Sequence, residues 1–368
     1  MTADSDPGNG DPVSAAVSAD DAAPALFEAA QGLTPDPVAT SAAPDSGTPD
    51  SGPPDSGTPD AAAPDAAALD ARGSSAAANA AAADRASADP ARSRMKRPLV
   101  TPQPLERHGP ARILALCNQK GGVGKTTSTI NLGAALAEFG RRVLLVDFDP
   151  QGALSAGLGI APHNLDLTTY DLLLRRDVTF DDVVLKTGVN GLDLLPSNID
   201  LSAAEVQLVN EVAREQTLLR ALNPIRDRYD FVLIDCQPSL GLLTVNALTA
   251  AEGVIVPLEC EFFSLRGVAL LVDTIDKIRD RLNPQLHLEG ILATMYDGRT
   301  LHSREVYARV VEAFGDAVYD TVIARTVRFP ETTVAGQPIT SWAPSSSGAQ
   351  AYRELAMEVL AHGGPPTS

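Results

Sequence analysis

The chain has 368 residues and a formal net charge of −18, and its composition changes abruptly near residue 110. It holds no uninterrupted apolar run near the roughly 20 residues needed to span a bilayer, and no basic region followed by an apolar core at the N-terminus. Its cysteines, Cys117, Cys236 and Cys260, show no metal-binding spacing, which favours buried structural thiols. We therefore expect a cytoplasmic protein, neither secreted nor anchored in a membrane.

The first 90 residues are dominated by Ala, Asp, Pro, Ser and Gly, and they carry 15 acidic and 2 basic side chains. Residues 45–64 repeat a five-residue unit ending in proline, which prevents a continuous helix. With so few bulky apolar side chains, the segment cannot offset the entropy of ordering its backbone. We predict a disordered acidic arm over residues 1–90, either a solvating tail or a docking tail for a partner.

Residues 91–110 reverse the sign of the charge, with five basic side chains against Glu106. This pattern predicts a basic linker. Such a linker is either simply solvated or adds contacts to nucleic-acid phosphates.

From Ala111 onward, short apolar segments alternate with helical patterns, which predicts an α/β fold: a doubly wound, mostly parallel twisted sheet with helices on both faces. We place this domain at residues 111–362, followed by a disordered tail at 363–368. Strands are predicted at Ile113–Cys117, Val143–Val146, Leu192–Leu195, Phe231–Ile234, Val254–Leu258 and Leu288–Met295. Helices are predicted at Lys125–Phe139, Ala203–Leu222, Leu240–Ala250, Leu265–Leu282, Ser303–Phe314 and Ala349–His362.

A glycine-rich run follows the first predicted strand and precedes the first predicted helix: Lys120-Gly121-Gly122-Val123-Gly124-Lys125-Thr126-Thr127. Glycines let the backbone turn sharply and aim N–H groups at phosphate oxygens, and the positive end of the helix adds to the attraction. Lys125 is expected to reach the β- and γ-phosphates, and the Thr126 hydroxyl to ligate Mg²⁺. The run therefore predicts a nucleotide-binding loop.

The run departs from the common pattern G-x-x-x-x-G-K-[ST], because Gln119 stands where the first glycine belongs and Lys120 opens the loop. One lysine suffices for a nucleotide in its own subunit, so Lys120 is expected to serve a phosphate elsewhere. This departure resembles the deviant Walker A family of P-loop ATPases. The sequences of residues 117–120 and 146–152 resemble those of the ParA chromosome-partitioning branch.

Acidic residues follow two predicted strands, where ligands of open α/β sheets bind. Asp235 ends the strand Phe231–Ile234, the arrangement of a Walker B acid that holds Mg²⁺. Asp147 and Asp149 follow another strand end; the resemblance implies that this region switches with the nucleotide and that Asp149 positions the attacking water. We thus predict Lys120, Lys125 and Asp149 as catalytic residues, and we predict the metal ligands Thr126, Asp147 and Asp235.

The sequence lacks the guanine-reading N-K-x-D motif in a suitable place, and the family implies adenine, so ATP and Mg²⁺ are the expected cofactors. The resemblance further implies an ATP-dependent homodimer that binds DNA non-specifically and is released by slow hydrolysis, stimulated by a ParB-like partner. Arg299 and Arg328 match family positions implicated in DNA binding. The expected location is the cytoplasm, on the nucleoid.

Three other functions remain open from the sequence. A membrane-cycling ATPase of the MinD kind would use a basic amphipathic C-terminal helix, which residues 349–362 do not resemble. An electron-transfer ATPase similar to nitrogenase iron protein would need paired cysteines around an iron–sulfur cluster. A scaffold whose nucleotide site regulates assembly would bind DNA regardless of nucleotide.

Overall fold

A sheet of seven strands lies at the centre of the part of the chain that the computed structural model describes, which is residues 89–94, 96–261 and 264–362. Most of the predicted arm and the predicted tail lie outside the described residues. The strands are β1 (Arg112–Leu116), β2 (Val143–Phe148), β3 (Leu185–Lys186), β4 (Leu192–Leu195), β5 (Phe231–Cys236), β6 (Gly253–Glu259) and β7 (His287–Thr294).

The strand order is β3-β4-β2-β5-β1-β6-β7, and every neighbouring pair is parallel except β3 with β4. Alternate residues of β1 enter two different apolar clusters, with Ile113 and Ala115 in one and Leu114 and Leu116 in the other. Burial on both faces is what a parallel sheet covered by helices requires. The predicted doubly wound α/β fold is confirmed.

Helices cover both faces of this sheet. They are α1 (Pro90–Ser93), α2 (Lys125–Glu138), α3 (Ala153–Gly157), α4 (Thr169–Leu174), α5 (Phe180–Val183), α6 (Leu201–Gln207), α7 (Thr217–Leu222), α8 (Leu242–Ala250), α9 (Ser264–Arg281), α10 (Leu301–Phe314), α11 (Arg328–Ala335), α12 (Ile339–Trp342) and α13 (Ser347–His362). Side chains of α2 and α13 share one cluster, and those of α8 and α9 share the other.

One predicted helix is wrong. The segment Ala203–Leu222 is not continuous: α6 ends at Gln207, two short 3₁₀ turns follow, and α7 begins at Thr217. The chain turns at Ala213, whose φ is +55°, a conformation that interrupts a right-handed helix. Helical spacing of apolar residues misled the prediction, because Val209 and Val212 are exposed rather than packed in the core. The antiparallel strand β3 was not predicted, and neither were the helices α1, α3, α4, α5, α11 and α12.

The segment predicted as a basic linker packs along the domain. Arg94 donates to the carbonyl oxygens of Val318 and Gly315, both at 3.0 Å, and its Nε lies 3.2 Å from Asp320 Oδ1. The backbone N–H of Arg97 donates to Asp320 Oδ2 at 2.9 Å. These basic groups thus pair with acids of the chain itself.

Nearer to β1, the same segment is held by Asp230. The N–H of Gly109 donates to Asp230 Oδ1 at 2.9 Å, and His108 Nδ1 lies 2.7 Å from Oδ2. The segment is therefore attached at both of its ends, once near Asp320 and once at the start of the sheet.

Helix α13 contributes the buried side chains Tyr352, Leu355, Ala356 and Val359 to the cluster that it shares with α2. Its apolar face is therefore part of the core. No helix within the described residues is long and apolar enough to cross a bilayer.

Candidate functional site

The glycine-rich loop and the predicted acidic residues meet at one edge of the sheet. Strands β1, β2 and β5 are adjacent and parallel, so their carboxyl ends lie side by side. In the registers of these strands, Leu116 pairs with Asp235 and Asp147 also pairs with Asp235. The fold therefore brings the loop after β1 together with Asp147 and Asp235, the penultimate residues of β2 and β5.

The loop has the backbone geometry of a phosphate cradle. Gly122 and Gly124 adopt φ of +75° and +85°, which side chains rarely tolerate. A Cβ at Gly121 or Gly122 would meet no atom within 4 Å, so the loop is open to a ligand on this side. Val123 points inward and is fully buried, and α2 begins directly after Gly124. Loop and helix end together form an anion site.

Lys125 folds back over this loop. Its side chain is buried, and Nζ donates to the carbonyl oxygen of Lys120 at 3.3 Å. The ammonium therefore lies against the backbone at the start of the loop. This is the position from which it can neutralise a bound phosphate.

Thr126 lies in the first turn of α2 and connects the loop to β5. Its hydroxyl donates to Asp235 Oδ2 at 2.7 Å, and the Thr129 hydroxyl donates to Asp235 Oδ1 at 3.4 Å. Burial, together with the neighbouring Asp147, raises the pKa of Asp235 to about 8. A buried carboxylate beside a hydroxyl is an oxygen pair that suits Mg²⁺. Thr126 and Asp235 thus fit the predicted metal site.

Asp147 is also fully buried, and burial raises its pKa to about 6. Its Oδ2 accepts bonds from the Ser155 N–H at 2.8 Å and from the Ser155 hydroxyl at 2.6 Å. Asp147 therefore fixes helix α3 to the end of β2. Sequence reasoning missed Ser155, which lies eight residues after Asp147 and contacts it. The role of Asp147 as a metal ligand stays a prediction.

Asp149 occupies a tight turn at the rim of the site and is partly exposed. Its Oδ1 accepts from the Gln151 N–H at 3.0 Å, and its carbonyl oxygen accepts from the Gly152 N–H at 2.9 Å. A Cβ at Gly152 would come within 2.9 Å of the Ser197 carbonyl oxygen. The turn is thus closely packed beneath Asp149, whose assigned role in hydrolysis stays a prediction.

Lys120 does not point at the loop that follows it. Its Nζ donates to Glu259 Oε2 at 2.9 Å and to Glu261 Oε2 at 2.5 Å. Glu259 ends β6, the strand on the other side of β1. Sequence reasoning missed both glutamates, although acids directly after a predicted strand were a signal used elsewhere in the chain.

A cavity of about 340 Å³ lies beside Gly124 and Thr127. The Thr294 hydroxyl donates to the Val123 carbonyl oxygen at 2.8 Å, which joins the end of β7 to the loop. The next residue, Met295, has a φ of +50° where the chain turns. The cavity has a mostly apolar wall with a smaller number of polar groups, as base sites do. Its wall includes Thr294, Met295, Ile323, Ala324, Arg325, Thr326, Phe329, Pro330, Thr333 and Tyr352.

The two arginines predicted for DNA binding lie on segments that follow β7. The Arg299 side chain is 91% exposed and forms two 2.9 Å bonds to the carboxylate of Asp297. The Arg299 guanidinium lowers the pKa of Asp297 to about 2. Arg328 begins α11, is exposed, and lies 3.5 Å from Glu331. Both cations face solvent, each beside an acid.

Comparison with known proteins gives a consistent result. Residues 111–288 match the family described as an AAA domain. The chain is 47% identical over 252 residues to the sporulation initiation inhibitor protein Soj of Bacillus subtilis, covering 68% of this chain and 99% of that protein. It is 49% identical over 253 residues to the chromosome partitioning protein ParA of Caulobacter vibrioides, covering 68% and 94%. An uncharacterised protein of Mycobacterium tuberculosis is 68% identical over 267 residues, covering 73% and 84%.

Two similar solved structures also contain nucleotide. A structure of cobyrinic acid a,c-diamide synthase from Mycobacterium smegmatis with bound ADP and magnesium is 44% identical, with a TM-score of 0.59, covering 68% of this chain and 95% of that one. The septum site-determining protein MinD of Pyrococcus horikoshii, complexed with Mg-ADP, is 30% identical, with a TM-score of 0.56 and coverage of 68% and 96%. The same fold thus holds magnesium and adenine nucleotide in these relatives.

Proposed function

The chain belongs to the ParA-type chromosome-partitioning family of P-loop ATPases, and from this premise we propose that ATP binding joins two subunits into a dimer that holds DNA. The ATPase activity and its cofactors, ATP and Mg²⁺, are those of the family. Hydrolysis then dissociates the dimer and releases the DNA. The cycle would let the protein carry or position DNA in the cytoplasm, on the nucleoid.

One observation carries the nucleotide part of this proposal. Thr126 and Asp235, which are 109 residues apart in the sequence, are hydrogen-bonded at 2.7 Å beside an open glycine loop. When bound, Mg²⁺ would be held by the Thr126 hydroxyl and Asp235 and would neutralise charge on the transferred phosphate. Lys125 binds the same phosphates, and Asp149 orients the attacking water at the rim.

The base of the nucleotide would lie in the cavity beside Gly124. Its volume of about 340 Å³ and its apolar wall, with Phe329 and Pro330, suit a planar ring system. Met295 and Thr294 connect this wall to the glycine loop. Adenine rather than guanine is proposed from the family.

DNA binding is proposed for the exposed arginines, Arg299 and Arg328. Residues 111–368 carry 22 basic and 31 acidic side chains, a net −9, so the domain as a whole repels a polyanion. Binding therefore needs local cations, and two copies of them in a dimer double the number of phosphate contacts. The pairs with Asp297 and Glu331 are exposed and hence weak, so a DNA phosphate can replace either acid.

The alternative function is a membrane cycle like that of MinD, because a MinD structure is among the similar solved structures. Helix α13 argues against it, because its apolar face is buried against α2 within the described residues. An apolar face that is already in the core is not free to enter a lipid surface. We therefore propose DNA, not a bilayer, as the surface on which the dimer acts, with a ParB-like partner that stimulates hydrolysis.

DNA retention measured with ATP, with ADP and without nucleotide tests the whole proposal. We expect duplex DNA of any sequence to be retained only with ATP and Mg²⁺. Equal retention in all three conditions would indicate a scaffold instead. Sedimentation with anionic vesicles under the same conditions would reveal a membrane cycle.

A further inference from the structure

We propose that Glu259 is a positioning residue that holds Lys120 inside its own subunit, and that release of this contact sets the protein concentration at which the ATP-dependent dimer forms. The inference rests on the proposed dimer and deepens it. Lys120 is expected to serve a phosphate outside its own subunit, and in the proposed dimer that phosphate would belong to the nucleotide of the second subunit. The inference concerns the contact that must break before Lys120 can reach it.

The contact consists of one lysine between two acids. Lys120 Nζ lies 2.9 Å from Glu259 and 2.5 Å from Glu261. Partial burial alone would lower the pKa of Lys120, but the two carboxylates more than compensate and raise it. The Glu259 side chain is 12% exposed, whereas that of Glu261 is 52% exposed. Glu259 is therefore the less solvated partner and the one expected to hold Lys120 more firmly.

The backbone of Lys120 is fixed independently of its side chain. The Lys120 N–H donates to Asn118 Oδ1 at 3.0 Å, and Asn118 Nδ2 donates to the Pro257 carbonyl oxygen at 2.7 Å. Asn118 is itself buried. Lys120 must therefore change partners by rotating its side chain, while the loop stays in place.

A phosphate from a second subunit cannot simply join this cluster. Two of the three N–H donors of the ammonium already serve carboxylates, and a phosphate at the same place would be repelled by both acids. Lys120 therefore has to leave Glu259 when it binds a phosphate in trans. Breaking this contact costs free energy when the dimer forms, and the cost arises once in each of the two subunits.

Arg325 shares the carboxylate of Glu259 with Lys120. Its Nη2 donates to Glu259 Oε1 at 3.0 Å, on the oxygen opposite to the one that Lys120 contacts. Removing Arg325 leaves Glu259 with Lys120 as its partner and should strengthen that contact. Changes at Glu259 and at Arg325 should therefore shift dimer formation in opposite directions.

The first experiment measures the dimer dissociation constant in saturating Mg-ATP without DNA, by light scattering or analytical ultracentrifugation. An ion pair of this kind contributes a factor of about three to an equilibrium. Because a symmetric dimer breaks two copies, Glu259→Gln should lower the dissociation constant about tenfold. Arg325→Gln should raise it, and Glu261→Gln should lower it less than Glu259→Gln. Glu312→Gln, an exposed change of the same charge on α10, should leave it unchanged.

The second experiment tests the contact itself in the monomer. An amine-reactive ester modifies unprotonated lysines, so Lys120 should be labelled several times faster in Glu259→Gln than in the wild type. Lys277, whose side chain is 63% exposed on α9, is the internal reference in the same mass spectra. Nucleotide affinity, measured in parallel, should be the same in Glu259→Gln and in the wild type.

The outcomes separate the two proposals. A wild-type protein that stays monomeric in Mg-ATP would overturn the proposed dimer, and with it the role of Glu259 in dimerisation. A wild-type protein that dimerises with the same dissociation constant as Glu259→Gln would overturn the role of Glu259 alone. Unchanged labelling of Lys120 in Glu259→Gln would contradict the contact.

Discussion

Replacing Asp235 with Asn should raise the free energy of unfolding in the absence of Mg²⁺ and nucleotide, and the gain should grow with pH. Burial raises the pKa of Asp235 from 3.8 to about 8. Below about pH 4 the carboxyl is protonated in both states and has no effect. Between about pH 4 and pH 8 the unfolded chain releases a proton that the folded protein keeps, so the wild type loses stability as pH rises. Asn carries no such proton.

The magnitude follows from the size of this interval. Each pH unit within it is worth about 1.4 kcal/mol, so the three units from pH 5 to pH 8 set a ceiling of about 4 kcal/mol. Solvent penetration and relaxation around an ionised Asp235 reduce the measured difference. Asn also keeps an oxygen that can accept the Thr126 hydroxyl. We expect Asp235→Asn to gain about 2 kcal/mol relative to the wild type between these two pH values.

Urea unfolding at pH 5 and pH 8, in the presence of a chelator, measures this difference. Asp316→Asn, at an exposed aspartate, is the matched control and should follow the wild type. Calorimetry in buffers of different ionisation enthalpy supplies a second measurement, since binding of Mg-ATP at pH 7 should release most of one proton from Asp235. Identical pH dependence in the wild type and Asp235→Asn would refute the assignment of a raised pKa.

Three further predictions concern the other parts of the cycle. Lys125→Ala should abolish nucleotide binding, whereas Asp149→Ala should keep ATP bound in a long-lived dimer without hydrolysis; equal loss of fluorescent-nucleotide binding in both would contradict the role of Asp149. The double change Arg299→Ala and Arg328→Ala should weaken all duplexes alike and reduce the salt slope by about one per lost contact and subunit, with dimerisation intact; unchanged affinity would place the DNA surface elsewhere. Removal of residues 1–88 should leave folding and ATPase activity intact, because that stretch has no core-forming pattern; a large fall in Tm would show that it packs on the domain.

Local pattern was sufficient for most of the fold. The six predicted strands are all observed, with ends within two residues of those predicted, because each is a short apolar run that is buried on both faces. The glycine loop and Asp235 were found for the same reason, since the loop comes after β1 and Asp235 lies at the carboxyl end of β5. Periodicity failed over residues 203–222, where apolar side chains at helical spacing are exposed and the chain turns at Ala213.

Contacts between distant parts of the chain could not be predicted from the sequence. Lys120 was singled out as an extra charge, but its partner Glu259 is 139 residues away and nothing local links them. The cavity beside Gly124 depends on the turn at Met295, whose positive φ no sequence rule predicts for methionine. Such features arise from strand order, which places the ends of β6 and β7 beside the loop after β1.

The segment before β1 shows that the region matched by relatives and the region that packs together begin at different residues. The matched family begins at residue 111, and a fragment cut there would discard Arg94, Arg97 and His108. The buried carboxylate of Asp320 would then lose Arg94 and Arg97, and that of Asp230 would lose the Gly109 N–H and His108 while keeping the Arg142 N–H. Removing one partner of a buried charge typically costs about 3 to 5 kcal/mol, a large share of the stability of an ordinary domain. We therefore expect a fragment that starts near Asp89 to be more stable than one that starts at residue 111, for reasons unrelated to its nucleotide site.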